Sequence, residues 1–523
     1  MVGRGNDFLY RQGVLCILED YTLRVSDIHA ASEEIQINLS DILQPNPEAS
    51  ASGSQYKLFL LHYHDNIVTI CHEKKGRPSS GHIYVVDTKP GPSSKKRIIK
   101  KVTLESTYKL FARHTSKYLY FGTYSGAGSQ GHCEWEIKGI NLQNKDLPCI
   151  GPLQLRGFFG TDIGSTIAFE IHKDHFYAVS NQTSFEVEEI DWTSFYHCIR
   201  FPLEDPKKDD IVESNNKVWR RQHDEGVIHD SWTDLTLQFD EETDAPKIVE
   251  ARREWQKSHG RQLRTFYISD FKSKLTSSPS SSEGSPVLEA TTGPLLPYDD
   301  AYISTLDSTN NPNYAPAETR YNRNFHPENP PRKAATSRPF ILARTKFRAY
   351  NYSCSSFLDL VEDGQCCKDS STSCLRIRIG SRHIAPADWE TMSKGMQQYI
   401  TPPVPSLDGD VAYRHSAVKM WPPPASTCPC SSRLHNILNP PLPSGPAYNR
   451  SITGVLDERS LVYMVRSGRS YSPSDDKAVG SIVLIQFNKG PLPPKPPKRE
   501  SQDQMKANEW TWVPGACRKN MCC

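Results

Sequence analysis

Phe8-Leu9-Tyr10, Val14-Leu-Cys-Ile-Leu18, Leu23-Arg24-Val25 and Ile35-Gln-Ile37-Asn-Leu39 are short β-rich runs crowded into the start of the chain. Gly13 and Asp20 punctuate them, and the last alternates apolar with polar, placing one face on a core. Runs this short leave no length for a helix, and one such meander buries too little apolar surface to stand alone. It needs neighbours.

Neighbours follow directly. After a Pro/Ser/Ala-rich loop from Gln44 to Gln55 come Leu58 to Leu61, Ile67 to Cys71 and Ile83 to Val86, with turn-forming Asp65-Asn66 between the first two. A third group holds Val102-Thr-Leu104, Lys109 to Ala112, Tyr118 to Thr123 and Glu134 to Ile140. A fourth holds Thr166 to Ile171, Phe176 to Ser180, Ser184 to Ile190 and Phe195 to Phe201. Repeated small meanders without intervening helical periodicity predict an all-β fold: a β-propeller-like domain of meander sheets carrying long irregular insertions. A sandwich or barrel uses the same strands, but a sandwich is typically only ~100 residues, and this chain has 523.

The remaining length divides by composition. The N-terminal blades of the propeller-like domain are read over 1–270. Within them Leu235, Leu237 and Phe239 alternate, Glu241 to Pro246 turns, and Lys247 to Ala251 returns as a hairpin. Helix stays open as an alternative over Ile248 to Trp255, where Glu250, Ala251, Arg252 and Glu254 favour it. A Ser/Pro-rich insertion over 271–338 is expected to be disordered, because it cannot bury enough apolar surface to offset its ordering entropy. A further β segment of the same domain spans 339–400, with the alternating strand Leu375-Arg-Ile-Arg-Ile379. A Pro-rich irregular insertion covers 401–450, a closing β-hairpin 451–490, and a disordered tail 491–523. The hairpin, Ser460 to Val465 with Ser481 to Phe487, is too small to be stable alone, so the two ends of the chain are expected to meet and close a ring.

Bulk composition excludes several classes of partner. Charged residues nearly cancel, 62 basic against 60 acidic, so no global field draws nucleic acid or an anionic membrane. The N-terminus has no secretory h-region, since Val14 to Leu18 is bounded by Gln12 and Glu19, and no stretch approaches a membrane span. The expected location is cytoplasmic and/or nuclear, with thiols reduced and no membrane partner. Cys16, Cys71, Cys149 and Cys198 sit among apolar residues as small buried hydrophobes would.

Candidate chemistry is sparse. Gly126-Ala-Gly128-Ser-Gln-Gly131 matches G-x-G-x-x-G, but His132 to Ile140 reads as a strand, and without a helix there is no row of amides for a pyrophosphate, so this reads as a hairpin loop. Glu186-Val-Glu188-Glu189-Ile-Asp191 offers carboxylates to both faces of a strand, as a solvated outer strand would. His62 and His64 share one strand face as a potential metal pair, with no third ligand at a recognisable spacing. Cys366-Cys367, Cys374 and Cys428-Pro-Cys430 lack the paired spacing of structural zinc. Lys95-Lys-Arg-Ile-Ile-Lys-Lys101 reads as an import signal, a phosphate patch or a charged strand edge guarded against pairing. Pro494 to Arg499 fits SH3-type recognition, and the terminal Cys522-Cys523 is open to lipid modification but is not a C-a-a-X box. No catalytic, cofactor-binding or metal residue is assigned and no cofactor is expected.

Two longer passages carry a family resemblance: Gly157-Phe-Phe-Gly-Thr-Asp-Ile-Gly-Ser-Thr-Ile-Ala-Phe-Glu-Ile171 and the stretch from Phe176 to Tyr196. Asp230 to Leu235, Val249 to Trp255, Ser337 to Phe340 and Asp457 to Met464 extend it. Together they resemble the propeller-like C-terminal region of fungal F-box proteins. The resemblance implies a non-enzymatic substrate-recognition part of an SCF-type ubiquitin ligase, gripping a protein target. The F-box itself, a helical segment that binds the Skp adaptor, is not evident ahead of Phe8, so Skp and cullin are expected as partners only if one is restored. The alternatives are a carbohydrate-acting propeller enzyme with paired carboxylates, or a nucleic-acid-binding propeller using Lys95 to Lys101.

Overall fold

The computed structural model describes residues 2–30, 33–43, 56–74, 80–89, 91, 97–128, 131, 133–144, 147, 149–182, 194–206, 216–221, 233–240, 243–255, 262–271, 345–354, 356–363, 374–384, 404–405, 412–415, 419–422, 429–440, 450–467 and 479–487. Among them the strands form seven antiparallel sheets set around one axis, a seven-bladed β-propeller. Blade 1 contains Asp7–Arg11, Val14–Glu19, Thr22–Asp27 and Ile35–Asn38, the four runs with which the sequence opens. Its turns follow from local chemistry: Gln12 and Asp20 take positive φ, as do Asp65 and Asn66 in the first hairpin of blade 2.

Blade 2 contains Tyr56–His64, Ile67–Lys74, Ser80–Asp87 and Ile98–Leu104, and blade 3 contains Phe111–His114, Tyr118–Ala127, Cys133–Asn141 and Ile150–Leu155. Val102 to Leu104, grouped above with the third set, therefore closes blade 2. The cationic run before it hides the first half of that strand from an apolar pattern. Blade 4 contains Ile167–His172, His175–Ser180, Ser194–Pro202 and Asn216–Arg221. His175–Ser180 pairs directly with Ser194–Pro202, and the expected strand Ser184 to Ile190 lies outside the described residues. Blade 5 contains Asp234–Phe239, Pro246–Trp255 and Gln262–Asp270, so the helical alternative over Ile248 to Trp255 gives way to a strand.

Blade 6 departs most from expectation. Thr345–Asn351, Ser356–Asp363 and Cys374–Ile384 pair in order, and Lys419–Trp421 adds to Ile377–Ile379 as a fourth strand. Within 401–450, read as irregular, the ten-residue helix Pro429–Leu438 also forms and buries Leu438 against blades 6 and 7. Asn439 caps that packing by accepting the Leu375 amide at 2.6 Å. Beyond Phe271, the insertion 271–338 lies outside the described residues, as does the tail 491–523.

Blade 7 closes the ring. Arg450–Leu456, Ser460–Ser467 and Gly480–Gln486 come from the C-terminal part, and Gly3–Gly5 supplies the outermost strand through the register Gly3↔Ile482 to Gly5↔Gly480. The ends of the chain meet. The core is correspondingly modular, one apolar cluster at each blade interface. Between blades 3 and 4, for example, Phe111 stacks on Phe169 at 3.9 Å and Trp135 meets Phe169 edge-on at 4.9 Å. Between blades 7 and 1, Val462, Met464 and Ile482 pack on Leu15 and Ile17. Such a core leaves the first strand of every blade facing the axis.

Candidate functional site on the ring axis

The axial strands run in the same direction, so their starts gather at one end of the channel and their ends at the other. At the far end, Arg11 of blade 1 reaches across the ring to Glu170 of blade 4. Its Nη1 donates to Oε2 at 3.0 Å and its Nη2 to Oε1 at 2.8 Å. Arg113 of blade 3 approaches the same carboxylate, Nε to Oε2 at 3.9 Å, while donating to the Phe169 carbonyl at 2.9 Å and the Ala112 carbonyl at 2.8 Å. The two guanidiniums hold the Glu170 carboxyl below its usual range against the opposing effect of burial. Arg113 is pushed down by burial, with one carboxylate shared between two cations.

Three imidazoles crowd this end. His62, the buried member of the pair singled out in the sequence, has the His114 ring edge-on at 4.6 Å, and His64 lies 6.3 Å from His114. His114 is the ligand-type residue the sequence reading missed. It comes from the next blade and has no sequence spacing to His62 that marks a site. Among the described residues no group of three His, Cys, Asp or Glu side chains could hold a metal ion. The His114 amide donates to His62 Nδ1 at 3.3 Å, which puts the proton of neutral His62 on Nε2. Burial lowers all three histidines, His114 to about 4.

At the near end a recess of about 390 Å³ opens among blades 7, 1, 2 and 3. Asp7, Lys57, Glu73, Thr107, Lys109 and Arg466 supply its charged and polar lining. Asp7 ties two blades together: its Oδ1 accepts the Phe8 amide at 2.9 Å and its Oδ2 the Leu60 amide at 2.8 Å. Burial still raises its carboxyl above the usual range. Glu73 accepts the Thr107 hydroxyl, Arg466 donates to the Asn6 carbonyl, and Lys109 pairs with Asp162. Beside this mouth the blade-to-blade loops expose Tyr108 at 55% and Ile163 at 38%, high for apolar side chains of their size.

A second buried carboxylate sits off the axis between blades 4 and 5. Glu250 accepts from Arg220 Nε at 3.0 Å and Nη2 at 2.7 Å, from the Tyr196 hydroxyl at 2.6 Å and from Asn181 Nδ2 at 2.7 Å. Arg220 Nη1 in turn donates to the Asn181 carbonyl at 2.9 Å. In blade 6, Arg378 and Asp359 form another buried pair at 2.6 Å.

The other sequence candidates scatter. Gly126 falls in a bulged strand end before the hairpin to Cys133, with no helix following, as the spacing argument required. Ile98–Leu104 is the outermost strand of blade 2, the charged edge expected of the basic run. Arg97 is buried, donating to the Asp87 and Lys89 carbonyls, and Lys95 and Lys96 lie outside the described residues. Cys16, Cys71 and Cys198 are buried, but Cys149 is exposed, because it precedes the outermost strand of blade 3. Cys374 begins a strand of blade 6. Glu186 to Asp191, Cys366, Cys367, Cys428, Pro494 to Arg499, Cys522 and Cys523 lie outside the described residues.

The sheet order defines the chain as a seven-bladed propeller with a charged axis. No family model matches it, and no curated protein matches it. Among solved structures it aligns with the WD40 domain of SCAP from fission yeast over 91% of this chain and 80% of that one, at 6% identity and TM-score 0.30. The α-L-arabinofuranosidase from Lactobacillus brevis aligns over 49% and 86%, at 11% identity and TM-score 0.26. An endo-1,5-α-L-arabinanase from Thermotoga petrophila aligns over 79% and 98%, at 11% identity and TM-score 0.23. Likenesses this distant carry no argument about what the chain does.

Proposed function

We propose that this propeller is a non-catalytic platform that binds another protein through its recessed face. The observation that carries the reading is the pairing of exposed Tyr108 and Ile163 with a charged recess at the near end of the axis. Aromatic anchors beside a pocket with charged walls are where binding energy concentrates in protein interfaces. The buried carboxylates Glu170, Glu250 and Asp359 are each held in ion pairs, which suits a rigid support. The resemblance to fungal F-box proteins extends the proposal: the partner is a ubiquitylation target, and an F-box fused ahead of Met1 couples the platform to the Skp adaptor.

The test is quantitative affinity purification with the wild type and with Tyr108→Ala/Ile163→Ser. Proteins enriched by the wild type should fall at least tenfold with the variant, at unchanged circular dichroism. Equal recovery would place the interface elsewhere. For the ligase extension, purified Skp adaptor should bind only the F-box fusion. A second reading has one observation behind it: Asp7 and Glu73 line the same recess, and burial raises Asp7 as it would a general acid. Hydrolysis of an aryl glycoside that disappears in Asp7→Asn would replace the platform with a carbohydrate-acting enzyme.

A further inference from the structure

We infer that the far end of the ring axis is a binding site for a small inorganic anion, held between Arg11, Arg113 and His62. The inference stands apart from the protein-binding proposal, which concerns the opposite end. Charge comes first. Two guanidiniums share Glu170, the carboxylate whose field reaches both of them among the described residues, so the cluster carries one uncompensated positive charge. The Glu170 side chain is only 12% exposed, Arg113 20% and Arg11 32%, so water screens this excess incompletely. Gln12 and the three imidazoles, neutral at pH 7, add no negative charge; the exposed Asp65 carboxylate beside His64 is screened by water, and His172 on the same blade as Glu170 is paired with Asp244.

The unmet hydrogen-bonding atoms have one polarity. Arg11 Nε and His62 Nε2 are both buried and both lack a hydrogen-bond partner among the described residues. Arg11 Nε–H is always a donor, and His62 Nε2 is a donor because Nδ1 accepts the His114 amide. Orphaned buried donors beside excess positive charge call for an acceptor that brings negative charge with it. Chloride or phosphate meets both needs, and a metal cation meets neither. The arrangement also gives the site a pH dependence: protonating His64, the most exposed of the imidazoles, adds a second positive charge and tightens anion binding.

Thermal unfolding of the full chain at pH 7.5 in sodium gluconate, with chloride or phosphate substituted at constant ionic strength, tests the site. The expected result is a saturable rise in Tm with at least one of the two anions. Arg113→Gln should abolish the saturable component, and Glu170→Gln, which raises the excess charge, should enlarge it. A Tm that is flat, or that rises equally in wild type and Arg113→Gln, overturns the proposal. Should the variants fail to fold, anomalous diffraction from wild-type crystals soaked in bromide decides instead. A bromide peak, or density for phosphate in crystals soaked in phosphate, within hydrogen-bonding reach of Arg113 and His62 supports the site, and the absence of both removes it.

Discussion

Glu170, mostly buried, and Glu250, fully buried, are both bonded to arginine, yet they sit in opposite electrostatic situations. Among the described residues Glu250 pairs with the guanidinium of Arg220 and has its oxygens filled by Arg220, Tyr196 and Asn181. Glu170 is divided between Arg11 and Arg113, and the donors Arg11 Nε and His62 Nε2 nearby have no partner among the described residues. The first arrangement is closed, a staple between blades 4 and 5. The second is open, with spare donors and spare charge. Burial alone therefore does not separate a structural ion pair from a site; the balance of donors, acceptors and charge does.

The largest expected effect tests that contrast. Replacing Glu250 by Gln leaves Arg220 charged and buried and should cost about 3–5 kcal/mol of unfolding free energy, read from a urea midpoint. Glu170→Gln should cost less, about 1–2 kcal/mol, because its partners are partly hydrated and can take up solvent anions. Equal losses would erase the distinction. The double variant Arg220→Met/Glu250→Leu should recover most of the loss at Glu250, as apolar replacements of buried pairs do.

The next effect is confined to the axis. His114 is neutral in the folded protein down to about pH 4, whereas an unfolded histidine takes its proton near 6.5. Between those values the unfolded state binds more protons, so stability falls as pH drops through that window, by about 3 kcal/mol for this residue. His62 acts in the same direction. Glu170, held below its usual range, contributes stability that is present above about 4.5 and is lost only at lower pH. The slope between pH 6.5 and 4 should flatten in His114→Gln. If the slope of His114→Gln matches the wild type, the histidine cluster is not what the acid window reports.

The smallest effect sets the baseline. Arg24 and Glu34 form a good bidentate pair, but their side chains are 24% and 30% exposed. Arg24→Ala should shift stability by less than about 1 kcal/mol, and by less still in high salt. A larger loss would mean that hydrogen-bond count outweighs burial in this protein.

Sequence periodicity reaches as far as the blades and stops short of both glutamates. Blade 1 was readable because Gly13 and Asp20 break it into short runs, Val14–Glu19 buried along its middle and Thr22–Asp27 alternating buried with more exposed positions. Leu375 to Ile379 misleads: alternation predicts arginines in water, but Arg376 and Arg378 are buried while Ile379 is 37% exposed. A strand inside a blade has a neighbouring sheet on each face, so Arg378 turns inward to Asp359 and Arg376 to the Pro422 carbonyl. The axial site was half legible. His62 and His64 stand out as a pair, but Arg11, His114 and Glu170 arrive from three other blades, and only ring closure brings them together.

The strand Gly3–Gly5 has a further consequence, for the order of events at the ribosome. Its hydrogen-bonding partner is the last described strand of the chain, and Asn6 and Arg466 meet across 460 positions of chain. Until then the nascent polypeptide carries the face of Ile17 bare, with nothing from Val462 or Ile482 to cover it. Contacts so distant form slowly and leave sticky intermediates. This protein therefore stays incomplete until its own far strand arrives.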